Sequence, residues 1–162
     1  MFLLVIFFAV FILGCKKSKK FSIPLGMSAK INNLPWSSGK YTAEKYFVKS
    51  ALGDSLEELS ILCEDSTCGS SSLICKDISF VIHNHSSNNI TVGSYSIVPN
   101  TVSAGYDNYP ISAEAISGEI ILTKISSNNV QGTFNFTAVD NYNPAAVKTY
   151  SITEGQFNVN LQ

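Results

Sequence analysis

Alternation of apolar and polar residues, broken by Asn, Ser and Gly, is the feature that most limits what this chain can fold into. Ile78, Phe80 and Ile82 alternate with polar residues, and Phe134 and Phe136 do the same further on. Successive side chains of a strand point to opposite faces, so this pattern predicts strands with one buried face. Such runs recur about every eight to twelve residues, without the strand–helix alternation of a parallel sheet. The sequence therefore predicts an all-β fold, either an antiparallel β-sandwich or a lipocalin-like barrel of about eight to ten short strands.

Turn residues set the limits of the predicted strands. The pair Asn32-Asn33 predicts a turn after the first strand, and Glu154-Gly155 predicts the turn of a last hairpin. Residues 56–63 also fit a helix, because Ser55 and Glu58 match a capping box. The strand is favoured, because the segments on both sides of these residues are predicted to be strands. The predicted strands cover residues 27–31, 41–49, 56–63, 77–84, 90–98, a short segment near Tyr106, 118–125, 132–139, 148–153 and 156–161.

The first fourteen residues are apolar throughout and run into Cys15, which is followed by four lysines in residues 16–20. A membrane-spanning helix needs about 20 apolar residues, so this run fits a signal peptide better. It resembles a bacterial lipoprotein leader whose lipobox is Ile12-Leu13-Gly14-Cys15. The resemblance implies that residues 1–14 are removed and that Cys15 is lipidated. The alternative is an ordinary secreted protein with an incidental Cys15, and no Lys or Arg precedes the apolar run as it does in most export signals.

We expect three segments: a signal peptide over 1–14, a lipidated cysteine with a basic tether over 15–26, and a single β domain over 27–162. From Phe21 onward the chain has seven lysines, no arginine and twelve acidic residues, a net charge of −5. Nucleic-acid binding relies on clustered Lys and Arg, so we expect no nucleic-acid partner. The lipid anchor predicts a membrane partner and a location in the cell envelope. The outer membrane is favoured over the inner, and which face carries the domain stays open.

Three cysteines follow Cys15, and an odd number in an oxidising compartment means either one disulfide and one spare thiol or no disulfide. The spacing of Cys63, Cys68 and Cys75 does not match the close pairs of zinc ribbons, and a fourth ligand is missing. Alternation puts Cys63 and Cys75 on opposite strand faces, whereas a cross-strand disulfide needs both on one face. Cys68 is therefore the expected partner of one of the other two.

Candidate chemistry in the sequence is sparse. His83 and His85 lie two residues apart and could ligate a metal, but a polar strand end exposed to solvent is the favoured interpretation. Trp36, Tyr106 and Tyr109 lie near predicted loops, where aromatic rings can contact a sugar or a peptide; the alternative is that they fill the core. Motifs for nucleophilic, metal-dependent or nucleotide chemistry are missing from the sequence, so we expect no catalytic residue, no metal and no cofactor.

Five phrases of the sequence resemble a family of small Bacteroidetes lipoproteins of unknown function. They are MSAKINNLPW near the start, GSYSI in the middle, SGEIILTKI with GTFNFTA, and SITEGQFNV at the end. The resemblance covers roughly residues 27–160 and is strongest in the last third, where three phrases occur in order. It implies a β fold and export to the envelope but assigns no catalytic residue.

Two functions from different classes follow from these observations. The first is a non-catalytic lipoprotein whose β domain binds a protein or glycan ligand or has a structural role. The second is a hydrolase that acts on envelope or dietary glycans. A cavity lined by apolar and aromatic residues favours binding, whereas acids or histidines with shifted pKa values in a cleft favour hydrolysis. The sequence favours the first.

Overall fold

A computed structural model describes residues 23–49, 55–65, 68, 75–84, 89–140 and 147–162 of the chain. Cys15, the leader and His85 lie outside the described residues. No helix long and apolar enough to cross a membrane occurs in the described part. The strands are β1 Gly26–Ile31, β2 Leu34–Lys49, β3 Ser55–Asp65, β4 Lys76–Asn84, β5 Gly93–Ser96, β6 Val102–Asn108, β7 Ile111–Ile125, β8 Asn129–Asp140 and β9 Lys148–Asn160.

Eight of these strands close into an antiparallel barrel, so the prediction of an all-β fold is confirmed and the barrel is the alternative that forms. The sheet runs β7-β6-β4-β3-β2-β1-β9-β8, and β8 pairs back with β7. The short β5 pairs with residues 119–122 of β7, beyond the stretch that pairs with β6. Closure leaves the end strands paired with each other, which satisfies backbone groups that an open sheet would expose.

The two ends of the barrel differ in what they carry. The chain enters β1 beside the last residues of β9, because Gly26 pairs with Asn158. The side-chain nitrogen Nδ2 of Asn158 also donates a hydrogen bond to the backbone carbonyl oxygen of Ile23 at 2.7 Å. We call this the tether end. The opposite end, which we call the mouth end, carries the turns β1–β2 and β6–β7 and the connections β3–β4 and β8–β9.

The barrel interior is filled by apolar side chains. Phe80, Phe134 and Phe157 form its centre, with ring centroids 5.1 to 6.3 Å apart and each ring at most 2% exposed. Buried isoleucines, leucines and valines of the other strands surround them. The side chains that the sequence pattern placed on the apolar faces therefore meet inside the barrel, as alternation requires.

Two Gly-x-Phe segments interlock across β8 and β9. Gly132 lies opposite Phe157, and Phe134 lies opposite Gly155. A Cβ at Gly155 would lie 2.6 Å from two ring carbons of Phe134, and one at Gly132 would lie 2.5 Å from the Phe157 ring. Each ring thus lies flat over a glycine of the neighbouring strand. This packing explains why GTF and GQF occur at corresponding places in the two strands.

The predicted hairpin at Glu154-Gly155 is wrong. β9 runs without interruption from Lys148 to Asn160, and Glu154 has a positive φ of 52°. The pairing of β9 with β8 shifts register at this point, which marks a β-bulge. A Glu-Gly pair has the backbone freedom for either a turn or a bulge, and the flanking pairing with β1 and β8 selects the bulge.

Other strand limits also differ from expectation. Residues 56–63 belong to β3, so the strand interpretation is right and the helical one is wrong. The predicted strand over 90–98 shortens to β5, and the segment around Trp36 joins the next predicted strand to make β2. The first strand begins one residue earlier than expected, at Gly26.

A buried carboxylate closes the tether end of the barrel. Glu57 is 4% exposed, and one of its oxygens lies 2.8 Å from the ammonium of Lys45. The other oxygen accepts a hydrogen bond from the backbone N–H of Ile90. A buried charge is tolerated when it is paired and hydrogen-bonded in this way. The contact attaches the backbone at Ile90, ahead of β5, to this end of the barrel.

Candidate functional site

A cavity of about 370 Å³ opens at the mouth end of the barrel. Three aromatic side chains reach it from three different strands: Trp36 from β2, Tyr106 from β6 and Tyr150 from β9. Its polar lining includes Asp65, Lys76 and Asn108. About half of the lining is polar, so the cavity offers a small molecule both hydrogen-bonding groups and aromatic surface.

Each of these aromatic residues faces an alanine on a neighbouring strand. Trp36 pairs with Ala29, Tyr106 with Ala113, and Tyr150 with Ala138. The small partners leave room for the rings to turn inward at the barrel mouth. The rings of Tyr106 and Tyr150 lie 5.1 Å apart at 53°, an arrangement typical of favourable aromatic pairs.

The indole of Trp36 has an unsatisfied donor. The residue is 7% exposed, and its Nε1 is buried without a hydrogen-bond acceptor in the described part of the chain. Most buried polar atoms have a partner, and leaving one without costs about 1–3 kcal/mol. An acceptor on a bound molecule would satisfy this N–H.

The pKa values of two tyrosines at the mouth end, Tyr106 and Tyr150, are raised. Burial, and then the nearby Tyr150, raise the pKa of Tyr106, while a hydrogen bond with Asn108 opposes this. Burial, and then Asp140, raise the pKa of Tyr150. Both phenols are therefore protonated at neutral pH and can donate hydrogen bonds.

A row of carboxylates runs along the outside of the same end. Glu64, Asp77 and Asp107 lie directly opposite one another on β3, β4 and β6. Burial raises the pKa of Asp77, and the nearby charges of Glu64, Asp107 and Asp65 raise it further. Like charges placed opposite each other repel, so this end of the barrel has a negative potential.

A comparison with protein families matches residues 26–159 to the family described as Domain of unknown function (DUF6252). The chain belongs to this family. No curated protein and no solved structure matches the chain. The matched region begins with β1 and ends one residue before the end of β9, so it includes the whole barrel and its mouth.

In this DUF6252 domain the three aromatic candidates from the sequence separate into two groups. Trp36 and Tyr106 meet at the mouth cavity. Tyr109 lies on the β6–β7 turn at the same end, is 69% exposed and does not line the cavity. Tyr150 lines it but was not singled out in the sequence. The alternation of Tyr150 with Ile152 on β9 was the available signal, because it puts both side chains on the inner face.

His83, one of the two weak metal candidates, lies near the tether end of β4, away from the mouth. Nδ1 of His83 lies 2.8 Å from a carboxylate oxygen of Glu58 on the neighbouring strand, and the phenol of Tyr46 donates to the other oxygen. That hydrogen bond, more than the charge of Glu58, raises the pKa of Tyr46. This row crosses β2, β3 and β4 as a surface network, and His85 lies outside the described residues.

The cysteines divide into a disulfide and a buried thiol. Cys68 is bonded to Cys75, one of the pairings that the sequence pattern left open, and Cys63 is free and buried. The carboxylate of Asp77 lies near both bonded sulfurs. Metal binding needs thiolates, and sulfurs in a disulfide cannot provide them. The disulfide instead links Cys68 to Cys75, the residue before β4, beside the mouth.

Cys63 should resist alkylation in the folded protein. Burial raises the pKa of its thiol to about 12, against a smaller opposing effect of a hydrogen bond with Ser38. Only the thiolate reacts with iodoacetamide, so almost none is available at pH 8. Mass spectrometry should find Cys63 unlabelled under native conditions and labelled in denaturant. Rapid labelling of the native protein would contradict the burial of this side chain.

Proposed function

We propose that this DUF6252 domain is a non-catalytic lipoprotein of the cell envelope that binds a small ligand in the mouth cavity. The observation that carries the proposal is the convergence of Trp36, Tyr106 and Tyr150 on one cavity in which a buried indole N–H lacks an acceptor. The rings supply apolar contact, and the phenols and the indole supply donors.

The lining of the cavity argues against hydrolysis of glycans. Most glycoside hydrolases use two carboxylates about 5–10 Å apart on either side of the scissile bond. Among the described residues that line this cavity, one carries a carboxylate, and it is Asp65. The row of Glu64, Asp77 and Asp107 lies on the outer face of the sheet, so these side chains do not supply the second carboxylate. We therefore propose binding without chemistry.

Binding can be tested without knowing the natural ligand, because Trp36 is the single tryptophan of the chain. A ¹⁵N-labelled protein should give one indole N–H cross-peak, and that peak reports on the mouth. We expect it to shift in a saturable way with at least one of three probes: choline, its uncharged isostere 3,3-dimethylbutan-1-ol, or methyl β-glucoside. Each probe combines apolar surface with a polar group and fits a cavity of this size.

Tyr150→Leu and Tyr109→Leu make a matched pair for this test. The first removes a ring that lines the cavity, and the second removes an exposed ring at the same end of the barrel. We expect Tyr150→Leu to weaken the response and Tyr109→Leu to leave it unchanged. An indole peak that none of the probes moves, or equal responses in the two variants, would contradict the proposed binding site.

The lipid anchor has its own test. We propose that Cys15 carries the acyl chains, since Gly14-Cys15 follows an apolar leader. Two or three chains, at about 0.8 kcal/mol for each buried methylene, hold a protein firmly on a membrane. The wild type expressed in a bacterial host should enter the detergent phase of a Triton X-114 separation, and Cys15→Ala should stay in the aqueous phase. If both stay in the aqueous phase, Cys15 is not lipidated.

A further inference from the structure

We propose that the mouth cavity selects a small cationic ligand, one that carries an ammonium group. This inference rests on the proposed binding role of the mouth and adds the chemical class of its ligand. Two independent features carry it: the aromatic rings that surround the cavity and the excess of carboxylates at this end of the barrel.

The aromatic rings provide the first feature. Trp36, Tyr106 and Tyr150 reach the cavity from three strands. Two of these strands, β2 and β9, flank β1, and β6 lies three strands away from each of them. The face of an aromatic ring carries partial negative charge and attracts a cation within about 6 Å of its centre. Rings on several sides of a small cavity are the arrangement that recognises alkylammonium groups.

The charge balance is the second feature. Five carboxylates lie at the mouth end against three lysines, and the Lys30–Glu154 ion pair nearby is neutral. The connecting residues 66–74 and 141–146 add no charge, because they contain no Lys, Arg, Asp, Glu or His. The carboxylates are Glu64, Asp65, Asp77, Asp107 and Asp140, and the lysines are Lys40, Lys76 and Lys148.

The positions of these charges strengthen the imbalance. Lys40 lies opposite Glu64, and Lys148 lies opposite Asp140, so both lysines are matched by a carboxylate. Lys76 lines the cavity beside Asp65. Asp77 and Asp107 then have no lysine opposite them in the strand pairing. Among the described residues, the cavity lining itself carries one carboxylate and one ammonium group, so the excess negative charge comes from Asp77 and Asp107 on the outer face. A cation that approaches the mouth end meets this net negative potential.

A neutral glycan would need a different contact with the rings of this cavity. Sugars stack on open ring faces, but Trp36 and Tyr106 are 7% and 3% exposed and present little of their faces to solvent. An ammonium group needs less area, because the ring attracts it through charge rather than through a large stacked surface. The geometry therefore favours a compact cation.

The deciding comparison is between choline and 3,3-dimethylbutan-1-ol, which have nearly the same shape and differ in charge. Binding of each probe is followed through the shift of the Trp36 indole peak. Choline should bind about three- to thirtyfold more tightly than the alcohol, which is the range that a cation–aromatic contact gives. Raising the salt concentration should weaken choline binding and leave that of the alcohol unchanged, because salt screens the potential at this open mouth.

Two variants locate the effect. Tyr150→Phe keeps the ring and should retain choline binding, whereas Tyr150→Leu should lose most of the preference for choline. Asp65→Asn keeps the size of the side chain and removes one charge, so it should weaken choline binding and spare the alcohol. Thermal unfolding of each variant identifies any that fails to fold, and Asp107→Asn, on the outer face, then provides the charge test instead.

The outcomes separate this inference from the proposed function. Tighter binding of choline with the expected variant effects supports both. Equal binding of choline and the alcohol, or a response to methyl β-glucoside alone, overturns the cation preference and leaves the binding site intact. If none of the three probes moves the indole peak, both the cation preference and the proposed binding site are overturned.

Discussion

Phe134→Ala should lower the free energy of unfolding by about 3–5 kcal/mol, because it removes a large ring from a closed core. Phe134 is 2% exposed and contacts the rings of Phe80, Phe136 and Phe157. A domain of ordinary stability has about 5–15 kcal/mol in total, so the variant should be close to unfolding.

Urea denaturation followed by circular dichroism measures this loss. The midpoint should fall while the slope stays similar, if the unfolded state is unchanged. Tyr109→Ala is the matched control, because that ring is 69% exposed and its removal should change stability little. A Phe134→Ala protein as stable as the wild type would show that the ring does not lie at the centre of the core.

Gly155→Ala should also destabilise the domain, although it adds a single methyl group. The added Cβ would lie 2.5 Å from the carbonyl oxygen of Phe134 and 2.6 Å from two of its ring carbons, closer than real contacts allow. Forcing extra atoms into a packed core costs about 1–3 kcal/mol, and a contact with backbone puts this variant at the upper end.

The double variant tests whether the glycine is required by the ring. Phe134→Ala removes the two ring contacts that the new methyl group would make, so the two substitutions should not be additive. We expect the combined loss to be smaller than the sum by about 1 kcal/mol or more, within the range for residues in contact. Additive losses would mean that the Phe134 carbonyl, and not the ring, excludes a side chain at position 155.

The all-β class could be predicted because alternation is a local property of the sequence. Ile78, Phe80 and Ile82 lie on one face of β4 in any antiparallel arrangement. Closure depends instead on which distant strands pair. The contact of β7 with β8 is local, but the contact of β1 with β9 joins Met27 to Phe157. Alternation in the sequence is the same whether the strands close into one barrel through this pairing or form the two separate sheets of a sandwich.

The candidate site could be predicted only in part for the same reason. Trp36 and Tyr106 stood out as aromatic residues near strand ends, and so did Tyr109. Whether two of these side chains share a cavity depends on whether each lies on the inner or the outer face of the barrel. It also depends on the order of their strands in the sheet. Tyr150 joins the site because β9 lies beside β1, a contact between the two ends of the domain.

The tether end and the mouth end lie at opposite ends of one barrel, and this has a consequence for how the domain would act on a membrane. With the anchor that we propose at Cys15, every copy would be attached to the membrane from its tether end, and its mouth would lie at the opposite end of the barrel. A polymer or surface that repeats the same cationic group could then occupy several mouths at once. Linked binding of this kind can exceed the single-site affinity by about 10²–10⁴-fold. Weak binding by one isolated domain is therefore compatible with firm attachment by an array of them.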